Sequence, residues 1–385
     1  MRKRNAVRAV AAALAAMMAL TACGGGGGNE TTAAAGGDTG STAAGGDAAA
    51  SGSGEVGKTD ITFAMGADIV TLDPAGQQDT TTSVIIKHVY STLLDISDEG
   101  ELVPDLAESY ELVNDTDFVF KLREDAVWSD GTPVTANDVK FTFDRAKNMP
   151  KTKSNTSKVK EVVVDNEHQV TIKLTEPYAP FKSIVANSNL SIVQEAAVTA
   201  AGEAYGDADN AVGSGPFTVK EWVPNDHYTL EKNANYWGEE PITTSITCRV
   251  IPEGSARAIA LETGEVDLVW NVDPTDCSNI EANSDVKLLS QPSSSIEYLG
   301  MNVTKEHFKD QKVRQAINYA IDKQALVDTI VEGRGTVANS YINNTIPGWT
   351  DEVEAYPYDP EKAKELADSF DSMQQYADYN TAFMD

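Results

Sequence analysis

From residue 60 onward the chain alternates between stretches of period-two apolar spacing and stretches of period near 3.6. ITFAM (61–65) reads as a strand, leading through Asp73-Pro74 into a helix near residues 83–93. FVFKLRE (118–124) and QVTIKLTE (169–176) place apolar side chains at every second position, the pattern of half-buried strands. Between them Thr135 stands three residues before Asp138, a capping box that predicts a helix running to Ala146. Residues 255–263 predict a short helix stopped by Gly264, followed by a strand in VDLVWN (266–271). The clearest helical stretch is 310–333, where Val313, Ala316, Ile317, Ala320 and Ile321 share one face. Asp359-Pro360 starts another helix, with Asp as cap and Pro at the first position. Strands and helices mixed in this order, without a fixed-period repeat, predict an α/β or α+β body rather than a solenoid or sandwich.

The first residues follow a different logic. Arg2, Lys3, Arg4 and Arg8 precede an apolar run over 9–20, and small residues lead into Cys23, the three-part layout of a secretory signal. The run is too short for a spanning helix, which needs roughly 20 apolar residues. A cysteine at the cut resembles a bacterial lipoprotein signal, which implies that residues 1–22 are removed and Cys23 is lipidated. Residues 24–57 are almost entirely Gly, Ala, Ser, Thr and acid, with no aromatic residue and one Val, so they cannot repay the entropy of ordering. Residues 23–57 are expected to act as a tether of about 30 Å r.m.s. span.

The formal charge is -29; removing residues 1–22 takes away four basic residues and no acid, leaving -33. Such a surface repels anionic lipid and nucleic acid, so no nucleic-acid partner is expected. Cys248 and Cys277 remain beside Cys23. In an oxidising location they form either a disulfide closing a loop of roughly 30 residues, worth about 3 to 4 kcal/mol, or two separately buried thiols.

Catalytic signatures are missing from the sequence. His88, His168, His227 and His307 are far apart and lack HExxH or HxH spacing. The glycine run at 24–28 is not followed by Gly-Lys-Ser/Thr. Residues 157–160 match S-x-x-K without an S-D-N or K-T-G companion, and no G-x-S-x-G occurs. An enzyme is therefore not expected, nor a cofactor or metal. Five tryptophans and thirteen tyrosines supply large apolar faces with polar tips, a composition suited to an adaptable ligand cleft.

Five strings in order resemble the extracytoplasmic solute-binding proteins of family 5, the dipeptide, oligopeptide and nickel binders that serve ABC importers. They are residues 120–146 (FKLREDAVWSDGTPVTANDVKFTFDRA), 212–222 (VGSGPFTVKEW), 230–237 (LEKNANYW), 251–268 (IPEGSARAIALETGEVDL) and 309–323 (KDQKVRQAINYAIDK). The first and last are the specific ones. The resemblance implies a two-lobed periplasmic-binding-protein-like type II fold with a small domain inserted in the first lobe. Lobe I would comprise 58–90 and 190–270, the insert 91–189, and a partial lobe II 271–385. Ligand would sit between lobes that hinge.

The same resemblance points to ligand-binding residues. Gln78 and Thr80 follow the L-D-P turn, Trp270 and Asn271 stand on the hinge strand, and Ser293, Ser295 and Tyr298 belong to a crossing strand in SSSIEYLGMN (293–302). An extended peptide would pair its main chain with that strand edge. Asp378 occupies the position that pairs with a peptide α-amine in relatives, although Gln374 and Gln375 replace the relatives' Gly-Trp. YDPEKAKELA (358–367) passes almost directly into FDSMQQYADYNTAFMD (370–385), so much of the second lobe is expected to be absent and the last segment poorly ordered. The implied function is a monomeric, lipid-anchored binder on the outer face of the cytoplasmic membrane, capturing short peptides for ABC permease subunits. The rival readings are the same fold carrying nickel, haem or an oligosaccharide, and a surface sensor or interaction protein without transport.

Overall fold

Phe63, Ala64 and Met65 are consecutive and all buried, so the strand that carries them is covered on both faces. Phe63 and Met65 join one hydrophobic cluster, whereas Ala64 joins Ala260 and Val266 on the opposite side. The computed structural model describes residues 57–368 apart from 98, 99, 345 and 347. Cys23, residues 24–56 of the tether, Gln374, Gln375 and Asp378 lie outside the described residues.

Along the chain, β1 (Asp60–Met65) leads through a 3-10 turn at Pro74–Gly76 to α1 (Thr80–Val89), then to a hairpin of β2 (Leu94–Ile96) and β3 (Leu102–Pro104). β4 (Ala107–Leu112), β5 (Asp117–Leu122), α2 (Ala136–Ala146), β6 (Val159–Asn166) and β7 (Gln169–Leu174) follow. Short helices α3 (Phe181–Ile184) and α4 (Glu195–Ala201) precede β8 (Phe217–Val223), β9 (His227–Lys232) and β10 (Ser245–Val250). After these come α5 (Gly254–Glu262), β11 (Leu268–Val269), α6 (Pro274–Ala282), α7 (Glu306–Lys309), α8 (Gln311–Ala320), α9 (Lys323–Ile330) and α10 (Pro360–Asp368).

Two sheets organise the body. The five-stranded sheet has the order β11-β1-β10-β9-β8, with β1 parallel to both its neighbours. The four-stranded sheet, β4-β5-β7-β6, is antiparallel throughout. Phe118, Phe120 and Leu122 on β5, with Val170, Ile172 and Leu174 on β7, turn inward at alternate positions and pack under α2 through Val139 and Phe143. Residues 93–192 supply this core; the five-stranded sheet has its own core, drawn from residues 63–90 and 193–248. Ile192 and Val193 are chain neighbours yet belong to different cores.

The α2 start matches its expected cap: the Asp138 carboxylate accepts from the Thr135 backbone N–H at 3.0 Å and from its hydroxyl at 2.9 Å. Asp359 likewise caps α10, accepting from the Lys362 N–H at 2.8 Å. Other boundaries differ from expectation. The helix placed near 83–93 is α1, three residues earlier, because Asp79 caps it by accepting from the Thr82 N–H at 2.7 Å. It ends at Val89 because Gly213 and Gly215 press on that end: Gly215 N–H donates to Val89 O at 2.9 Å, and a Cβ on Gly213 would lie 1.9 Å from the same oxygen.

The strand expected over 266–271 pairs only at Leu268–Val269, at the edge of the sheet. The single helix expected over 310–333 is two, α8 and α9. Asp322 caps α9 by accepting from the Ala325 N–H at 2.9 Å, and Lys323 Nζ donates to the Asn318 carbonyl at 3.1 Å. A capping carboxylate competes with continued helix at that point. Val313 and Ala316 are buried, whereas Ala320 is exposed.

The expected crossing strand SSSIEYLGMN is a further correction: residues 293–302 form no strand and are largely exposed. Of the two alternatives for the cysteines, the structure takes free thiols, and the disulfide is not formed. Cys248 sits on β10 opposite Tyr228, inside the sheet core, and Cys277 sits on α6 with its Sγ against the Asp273 carbonyl at 3.5 Å.

Candidate functional site

The chain leaving β1 reaches Asp73, whose carboxylate accepts from the Ala75 N–H at 3.1 Å and so closes the Pro74–Gly76 turn. Arg145, near the end of α2, donates Nη1 and Nη2 to the same carboxylate at 2.8 and 2.6 Å. The guanidinium lies 5.4 Å from the ring centre of Tyr205, whose hydroxyl donates to that of Tyr90 at 3.5 Å. Burial disfavours charge on Arg145, yet Asp73 offsets this and holds its pKa above the ordinary arginine value. Burial pushes the Tyr90 and Tyr205 hydroxyls far up, so both stay neutral. A helix of the four-stranded sheet's core thereby fastens the turn of the other core.

That turn delivers Gln77 and Gln78 to two adjoining cavities. The larger, about 590 Å³, is lined by Val70, Thr71, Gly76, Gln77, Gln78, Asp79 and Lys151. Gln78 Nε2 donates to the Lys151 carbonyl, joining two of these wall residues. The smaller, about 310 Å³, is lined by Gln77, Gln78, Ser83, Asn155, Asn187 and Asn189. Ser83 Oγ donates to the Asp79 carbonyl at 2.8 Å and lies 3.2 Å from Gln77 Oε1, while Ser188 Oγ donates to Ser83 Oγ at 3.0 Å. Asn155 Nδ2 donates to Asn189 Oδ1 at 3.1 Å. The larger cavity carries one carboxylate and one ammonium; the smaller carries no charged side chain.

Of the expected ligand residues, Gln78 lines both cavities. Thr80, the exposed first residue of α1, lines neither. Trp270, half-buried, packs against the core of the five-stranded sheet and donates its backbone N–H to Ala64 O at 3.0 Å. Asn271 holds a positive φ of 56° while its carbonyl accepts from Arg257 Nη2 at 3.1 Å. Arg257 also donates to the carbonyls of Ile251 and Pro252, at 2.9 and 2.8 Å, and so gathers the chain on both sides of α5. Ser293 Oγ accepts from the Ser295 N–H at 2.8 Å, and Asn343 Nδ2 donates to Ser293 O at 2.6 Å. Tyr298 is 73% exposed and meets Tyr341 edge-on at 6.4 Å. None of these last five lines either cavity.

Gln77, Lys151, Ser83, Asn155, Asn187 and Asn189 were not expected. Gln77 stands beside Gln78 and could have been found from that adjacency. The three asparagines carry no sequence signal that places them together. Among the described residues, no group of three or more His, Cys, Asp or Glu side chains is arranged to hold a metal ion.

Residues 101–375 match the family described as bacterial extracellular solute-binding proteins, family 5 Middle. The glutathione-binding protein GsiB of Shigella dysenteriae serotype 1 is 32% identical over 312 residues, covering 80% of this chain and 60% of that protein. The chain thus spans about 60% of the length of the curated relatives it matches. Two solved structures are similar. The periplasmic binding protein DppA of Helicobacter pylori, in complex with the peptide STSA, aligns with a TM-score of 0.75 at 26% identity, over 82% of this chain and 66% of that one. NikA of Brucella suis, in complex with Fe(III)-EDTA, aligns with a TM-score of 0.72 at 27% identity, over 81% of this chain and 64% of that one. The mixed α/β architecture built on the two sheets is the periplasmic-binding-protein-like fold of these neighbours.

Proposed function

The chain belongs to the bacterial extracellular solute-binding proteins of family 5, and from that premise we propose that it captures short peptides outside the cell and passes them to an ABC permease. The observation that carries this reading is the pair of cavities at Gln77 and Gln78, the smaller one polar, directly after the L-D-P turn, in a chain similar to a peptide-bound binding protein. The name of GsiB, a glutathione-binding protein, supports a small peptide as cargo. A cavity lined by side-chain amides and hydroxyls offers both donors and acceptors, which is what a peptide main chain requires.

Within this reading, lobe I comprises 58–90 and 190–270, the insert 91–189, and lobe II starts at 271. Gln78 is the ligand contact on lobe I, with Thr80, Trp270, Asn271, Ser293, Ser295 and Tyr298 as further contacts once the lobes close on peptide. Asp378 pairs with the peptide α-amine, a charge-assisted contact worth about 1.5 to 3 kcal/mol. Cys23 carries the lipid that holds the monomeric receptor beside its permease, where tethering raises its effective concentration.

Calorimetry of the purified chain tests the proposal, with tetra-alanine, N-acetyl-tetra-alanine and glutathione as titrants. Saturable heat with tetra-alanine, weakened by blocking its amine, is expected. No heat with any of the three, from a protein that melts cooperatively, would remove the peptide assignment.

A further inference from the structure

Gln77 is 1% exposed, lines both cavities, and has one pole of its carboxamide beside Ser83 Oγ at 3.2 Å. The other pole, Nε2, has no hydrogen-bond partner among the described residues. Buried polar groups are nearly always paired, so an unpaired amide on a residue that walls both cavities points to a bond supplied by another molecule. The walls say what kind of molecule. Gln77, Gln78, Ser83, Asn155, Asn187 and Asn189 are all uncharged, in a chain whose formal charge is -29. A charged ligand group there would lose its water without gaining a counter-charge. The N-terminus of α1 does not recruit an anion either, because the Asp79 carboxylate already takes the Thr82 N–H at 2.7 Å. Opposite charges occur only in the adjoining larger cavity, on Asp79 and Lys151.

We infer that the smaller cavity is a subsite for an uncharged, hydrogen-bonding segment of the ligand, of the peptide-bond class, and that the open pole of Gln77 binds it. The inference rests on the peptide-binding reading above and deepens it. Charged ends of the ligand are left to the larger cavity and beyond. Gln78, which lines both spaces, sits where the neutral segment passes into the charged one. The site therefore discriminates against a ligand whose charge falls at this position, irrespective of its size.

Two variants test this, Gln77→Met and Asn155→Ala, each titrated with tetra-alanine by calorimetry beside the parent chain. Methionine keeps the length of Gln77 and removes its amide. Each variant is expected to bind about five- to tenfold more weakly, the loss of one net hydrogen bond. The unliganded melting temperature of Gln77→Met is expected at or above the parent's, since an unpaired buried pole has been removed; a purely structural role for Gln77 would instead lower it. Asn155 lies half-buried in the loop after α2, so its truncation keeps the test alive if Gln77→Met does not melt cooperatively. Parent-like affinity in the variants that fold would overturn the subsite while leaving the peptide assignment standing. A parent that binds no peptide would overturn both.

Discussion

Arg145 and Asp73 are joined by two hydrogen bonds of 2.8 and 2.6 Å, across 72 residues of sequence and between the two cores of the body. Both side chains are largely out of solvent, 20% and 8% exposed. Removing one partner strands the other charge, which costs about 3 to 5 kcal/mol. Arg145→Met is therefore expected to lower stability in urea unfolding by about 3 kcal/mol or more. Asp73→Asn combined with it should cost less than the two single changes added together. Strict additivity in that cycle would show that the pair does not act as a unit.

Close backbone approach at the end of α1 makes a second expectation. A Cβ at residue 213 would stand 1.9 Å from Val89 O and 2.8 Å from Val89 C, atoms of a helix end that cannot swing aside. Gly213→Ala should cost about 3 kcal/mol, the upper part of the usual overpacking range. Its thermal melt should fall by several degrees, whereas Gly264→Ala should suffer only from its φ of +73°, because nothing lies within 4 Å of that position.

Asp105 makes stability depend on pH. Burial pushes its carboxyl up to about 7, against the opposing hydrogen bond from the Thr92 N–H at 2.7 Å and with help from the nearby Asp95 charge. The folded chain then keeps a proton that the unfolded chain has already released above the ordinary value of 3.8. Folded-state proton uptake means that stability falls as pH rises from that value through about 7. Asp105→Asn keeps an acceptor for Thr92 and removes the titration. Melting temperatures measured at about pH 5 and about pH 8 should fall more in the parent than in this variant. Equal falls would refute the assignment.

The thiols provide a chemical check. Residues 58–385 contain only Cys248 and Cys277, and burial pushes the Cys248 thiol up to about 12. Unfolding without reductant should expose two alkylatable thiols by mass spectrometry. In the native state Cys277, 5% exposed, should react ahead of Cys248, at 0%. A mass two hydrogens short, with no alkylation, would restore the disulfide.

Much of the scaffold was legible because its signals are local. The alternation in 118–124 and 169–176 became β5 and β7, and the Thr135–Asp138 spacing became the cap of α2. The end of α1 was not legible, because the group that takes its last carbonyl is Gly215 N–H, far along the chain. The division between α8 and α9 was hidden for the opposite reason: the apolar spacing continues through Asp322, and only the choice of Asp322 to cap α9 reveals the break. The family resemblance pointed to Gln78, which lines both cavities, while Gln77, one residue earlier, carries the unpaired amide.

The sequence by itself determined the class of body, its principal strands and capped helices, and the family to which the chain belongs, since periodicity, caps and motif strings are written within a few tens of residues. Only the tertiary structure decided that the cysteines stay apart, that residues 293–302 are not a strand, and that Asn155 meets Asn189 beside Gln77. Those outcomes depend on which distant segments the packing of two cores brings together. Cavity walls are made by contacts across the fold, and no local pattern along the chain specifies them.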